Sequence, residues 1–131
     1  MNRIGTVLAF SLLIATACKP VIYSTNGETI YKSGKNTSGQ ELLDKNRSQI
    51  RFVKSCMGCH GENGTNVRKC DIRWSSLTNP KKLAVPYTDS LLYRFLDEDI
   101  KSDGSPARTG VHWNMGLQDK KDLVTFLKTL K

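Results

Sequence analysis

Two cysteines three positions apart with a histidine directly after the second, Cys56-Met57-Gly58-Cys59-His60, constrain this chain more than any other feature. On a helical turn that spacing sets both thiols on one side, with the imidazole of the next residue beside them. The commoner uses of a thiol pair are poor matches. A redox dithiol of the thioredoxin kind needs a buried strand before it and a βαβ pattern around it, and neither is visible. A zinc site needs a second ligand pair, and the remaining Cys70 and His112 lack paired spacing. A structural disulfide across Cys56 and Cys59 leaves the adjacent His60 unexplained.

The remaining reading is covalent attachment of haem c, for which Cys-x-x-Cys-His is the signature. Two thiols so spaced add to two vinyl groups on one side of a porphyrin, and His60 turns its imidazole under the iron as proximal ligand. The chain has 131 residues, room for one domain. Hydrophobic residues make up 38% and charged residues 24%, which argues against wholesale disorder and against several membrane spans.

The N-terminus reads as an address. Residues 1–17 carry Arg3 as a positive start and an apolar run from Val7 to Ala15, an export signal too short to span a membrane comfortably. Ala15-Thr16-Ala17 directly before Cys18 resembles the lipobox of bacterial lipoproteins, with Ala15 where that motif usually has Leu. Lipidation of Cys18 implies a protein tethered to a membrane on the periplasmic or outer face. The alternative is cleavage after Ala17, a free Cys18 thiol and a soluble periplasmic protein. Residues 18–39, rich in Ser, Thr, Asn, Gly and Lys, are expected to form a flexible tether, with packing of Ile22 to Tyr31 as an extra arm as the alternative, leaving 40–131 as the folded domain.

Hydrophobic spacing predicts three main helices. Gly39 to Lys54 has Leu42, Leu43, Ile50 and Val53 roughly on one side and leads into Cys56. Asp89 to Ile100 carries Leu92, Phe95, Leu96 and Ile100, with Thr88 as cap. Asp119 to Leu130 has Leu123, Phe126, Leu127 and Leu130 at i, i+3, i+4 and i+7, with acids early and lysines late, as the helix dipole favours. No run alternates in the manner of a strand, so the expected class is all-α with long loops. So short a domain with such loops has a thin core, and a large apolar ligand at its centre supplies the missing contacts.

Beyond the pentapeptide, Ser48-x-x-x-Phe52-x-x-x-Cys56-x-x-Cys59-His60-Gly61 resembles the first helix and haem-attachment turn of class I cytochromes c. Phe52 takes the place of that family's aromatic four before the first Cys, and Ser48 the place where the family prefers Gly for close crossing of its terminal helices. Met115-Gly116-Leu117 followed by Asp119 to Leu130 is similar to the family's methionine loop and C-terminal helix, with Gly116 where Pro is frequent. Cys70-Asp71-Ile72-Arg73 is similar to its Pro-Asp-Leu-Arg, so the Cys70 carbonyl is expected to accept from the second ring nitrogen of His60. The resemblance covers roughly 40–131. It implies a cytochrome c fold wrapped around one haem, with Met115 as the second axial ligand to iron. His112 competes for that place, and an open sixth position is the third possibility. Arg73, Trp74 and Trp113 are candidates to contact the haem propionates or ring edge, or equally to pack in the core or at the surface.

These readings lead to an electron carrier rather than an enzyme, since His/Met ligation tunes iron toward one-electron exchange and no small-molecule substrate is implied. Lys plus Arg number 20 and Asp plus Glu 12, a formal charge of +8 that falls only to +7 when residues 1–17 leave with Arg3. Such a surface favours acidic electron donor and acceptor proteins. It lacks the basic runs and stacking aromatics of a nucleic-acid groove. The alternative is a haem enzyme subunit or a gas- or peroxide-responsive haem protein with a labile sixth ligand. Ser105 to His112 is faintly similar to dihaem peroxidases, but a single Cys-x-x-Cys-His excludes a self-contained dihaem enzyme.

Overall fold

Helix α1 (Asn26–Ser33) begins at Thr25, whose hydroxyl accepts from the Glu28 amide at 3.1 Å, while Glu28 reaches back to the Ser24 amide at 3.0 Å. This reciprocal arrangement satisfies donors that the first turn leaves free. Gly34 ends the helix in the left-handed conformation, φ 71°, and its N–H donates to the Ile30 carbonyl. The computed structural model describes residues 21, 23–50, 52–67 and 70–131. The expected export signal and Cys18 lie outside the described residues.

Helix α1 is a correction to the expected tether. Ile30 and Tyr31 are fully buried, and the helix packs on α2 (Cys56–His60) and on α5 (Leu117–Leu127). Gly27 is the crossing point with α5: a Cβ there would collide with the Asp122 carbonyl and the Cβ of Phe126. Tyr31 and Phe126 rings meet at 5.2 Å, and Asn26 Nδ2 donates to Asp119 and Asp122 at 3.1 and 2.7 Å.

The helix expected over 39–54 does not form. Among its described residues none is helical, although Leu42, Leu43 and Val53 are buried. Instead the chain leaves α1 at Gly34 and returns to the same place, for a Cβ on Gly34 would strike the Lys54 carbonyl. Within the excursion, residues 42–50 pair their backbone with 110–114: Asp44 N to His112 O at 2.9 Å, Asn114 N to Leu42 O at 2.7 Å and Gln49 N to Gly110 O at 2.9 Å. Apolar side chains are thus buried from an irregular segment whose hydrogen bonds are met by another loop, a solution that helical spacing does not anticipate.

The short α3 (Trp74–Leu77) follows, then α4 (Asp89–Glu98), where Thr88 Oγ1 accepts from the Leu91 amide as expected of a cap. Asp99 closes α4 in the left-handed region at φ 55°, one residue before the expected end at Ile100. Leu92 and Leu96 are buried from α4; Leu123, Val124 and Leu127 from α5. The described residues thus hold five helices and three isolated bridges, with no strand, an all-α class. One apolar cluster joins α1, α4, α5 and Met115. No helix among the described residues is long and apolar enough to cross a membrane.

Candidate haem-attachment site

Helix α2 consists of the motif itself. Ser55 caps it, its hydroxyl accepting from the Gly58 amide at 3.3 Å, and Gly61 ends it with φ 72° and an N–H bonded to the Met57 carbonyl. Tyr31 donates its hydroxyl to the Gly61 carbonyl at 2.6 Å, so α1 holds the motif from behind. Burial pushes the Tyr31 phenol up to about 12.

The turn opens onto a cavity of about 1020 Å³. Cys56, Cys59 and His60 lie together on its wall. Both thiols are unbridged, and burial pushes that of Cys56 up to about 12. Facing them are apolar residues of α4 and α5, Leu92, Leu96, Leu123 and Leu127, with Trp113 from the loop before α5. Haem needs such a space: a broad apolar wall beside two thiols and an imidazole. His60 Nδ1 is buried with no hydrogen-bond partner, and burial depresses the imidazole pKa, opposed by the backbone of Cys70. The hydrogen bond expected from His60 to the Cys70 carbonyl is not formed. Among the described residues no three His, Cys, Asp or Glu side chains group so as to hold a metal ion by themselves.

The remaining candidates are placed unequally. Trp113 lines the cavity; Arg73 and Trp74 do not. Arg73 is committed to Asp71, donating from Nε at 2.9 Å and from Nη2 at 2.7 Å, and Lys128 sits over the Trp74 ring at 4.6 Å. Met115 is 8% exposed and belongs to the same apolar cluster as Leu92, Leu96 and Leu127, although neither it nor His112 is part of the cavity wall. Phe52, which the resemblance matches to the aromatic four before the first Cys, is 86% exposed, whereas Ser48 is buried against the His112 backbone. Gly27 at the crossing with α5 and Tyr31 on the Gly61 carbonyl are contacts to which periodicity and motif did not point. Their signal was the Thr25-x-x-Glu28 capping pattern, masked by a polar, glycine-containing segment.

No protein-family model, no curated protein and no solved structure matches this chain at a significant level.

Proposed function

We propose that this protein is a mono-haem electron carrier, with haem c bonded to Cys56 and Cys59, iron bound by His60 and Met115, and the chain exported and anchored through lipid on Cys18. The observation that carries the reading is the convergence of two free thiols and a half-buried imidazole, whose Nδ1 has no hydrogen-bond partner, on one large apolar cavity. The cytochrome c fold is part of the proposal. Gly27 and Tyr31 stand four apart on a helix crossing α5, the spacing the resemblance assigns to Gly and aromatic, but with about twenty extra residues before Cys56.

When bound, haem supplies iron that exchanges one electron between ferrous and ferric states. The protein's own part is to fix the ring through α2, exclude water with the leucines of α4 and α5, and present a basic surface to acidic partners. Production with a haem-ligation system should give an intact mass increased by one haem and a red protein whose colour survives acid-acetone extraction. Polypeptide mass alone, without colour, in protein from its native host rules the reading out.

A haem enzyme subunit or a gas- or peroxide-responsive protein is the second reading, favoured by the absence of Met115 from the cavity wall. The ferric spectrum separates the two. A long-wavelength sulfur-to-iron charge-transfer band supports Met115 ligation, and high-spin bands support the alternative.

A further inference from the structure

We infer that the excursion between α1 and α2 is a brace for the segment carrying Trp113 and Met115, with Ser48 as its principal positioning residue; this rests on the haem reading above. The excursion's two ends meet at Gly34 and Lys54, so α1 and α2 can be joined without it as far as distance is concerned. What its middle does is hold residues 110–114. Ser48 is 4% exposed, and its hydroxyl accepts from the His112 amide at 2.9 Å and lies 3.3 Å from the His112 carbonyl. The same carbonyl accepts from the Asp44 amide, and Leu42 and Gln49 bond Asn114 and Gly110 on either side. Leu43 bridges to Trp113, the only residue of that stretch besides Val111 on the cavity wall.

Ser48 is itself placed by a turn. Asp44 Oδ1 accepts from the amides of Asn46 and Arg47 at 3.0 and 3.1 Å, and the Asp44 carbonyl from the Ser48 amide at 2.9 Å. Beyond Asn114 the chain runs through Met115 and Gly116 into α5. Gly116 offers little stiffness of its own, so the position of the Met115 sulfur depends on the segment before it being fixed. The brace supplies that fixation from one side, and α5 from the other.

The test uses the full-length haem-loaded protein and its Ser48→Ala and Asp44→Ala variants. Removing the Ser48 hydroxyl leaves the half-buried His112 amide without its acceptor, so its hydrogen exchange should accelerate about tenfold. Imidazole, added as a competitor for the sixth position of the ferric protein, should displace the sulfur ligand with an apparent affinity raised roughly five- to tenfold. Asp44→Ala, which touches no core contact, should shift both readouts the same way by less. Unchanged imidazole affinity in both variants, or a change only in proportion to lost global stability, overturns the brace. If the wild-type protein carries no haem, or haem without the sulfur band, the underlying reading fails first, and it does so before any variant is compared.

Discussion

Asp71 stands at the cavity rim, its carboxylate accepting from Arg73 Nε and Nη2, from the Arg73 amide at 3.1 Å and from Ser76 Oγ at 2.5 Å, with Lys82 at 3.7 Å. The Arg73 guanidinium, with the Ser76 hydroxyl, holds this carboxyl well below the usual carboxylate range. A lowered folded-state pKa means that the unfolded chain binds the proton more readily, so the stabilisation is present above the unfolded value near 4 and is lost as pH falls through the folded one. The side chain retains some solvent contact, which screens the pair. Asp71→Asn should cost about 1 to 2 kcal/mol at neutral pH and remove part of the acid-induced loss of stability below about pH 4. Urea unfolding of both proteins at several pH values checks this. Equal slopes of stability against pH in the acid range would show that the network adds nothing.

At the scale of elements, the contact between α1 and α5 depends on one missing side chain. The Cβ of Gly27→Ala would run into α5 backbone, which has no rotamer to move aside, so the helices must separate. Expected is a loss of about 3 kcal/mol or more, at the upper end of overpacking costs, read as a lower denaturation midpoint. A change under about 0.5 kcal/mol would mean the crossing is loose. This helix was the least legible in the sequence. Its apolar residues are two, Ile30 and Tyr31, in a stretch of Ser, Thr, Asn and Gly, and tertiary contact supplies what propensity does not. Helix α5 was legible because its stripe of Leu123 and Leu127 repeats at helical spacing, and α4 because Thr88 announces it. The false helix over 39–54 has a clear cause: Leu42, Leu43 and Val53 are core residues, as read, but the Leu42 carbonyl and the Leu43 bridge find their partners in Asn114 and Trp113, about seventy residues away, where local periodicity has no information. Cys56, Cys59 and His60 could be placed together from the sequence alone, since adjacency fixes them on one turn. Arg73 could not, because its choice of Asp71 over the cavity is made by loop geometry.

For the whole molecule, charge and cavity lead to separate expectations. If the protein exchanges electrons with acidic partners as proposed, its net +8 makes docking an attraction between surfaces exposed to solvent, and the second-order rate of that exchange should fall as salt rises from low to physiological strength; a flat dependence would remove the basic surface from the mechanism. The cavity bears on folding itself. The cavity of about 1020 Å³ is open on one side, which leaves the leucines of α4 and α5 that line it within reach of water. On the proposed reading, haem would fill this space and remove those leucines from water, a burial of apolar surface that favours the folded state. The double variant Cys56→Ala/Cys59→Ala, produced without covalent attachment, should keep much of its far-ultraviolet helical signal while losing near-ultraviolet dichroism and cooperative unfolding, and should bind a hydrophobic dye. A variant that instead unfolds sharply, with aromatic dichroism unchanged, would show that the polypeptide closes the cavity by itself and that the thioether-bonded ring is not needed to fill it.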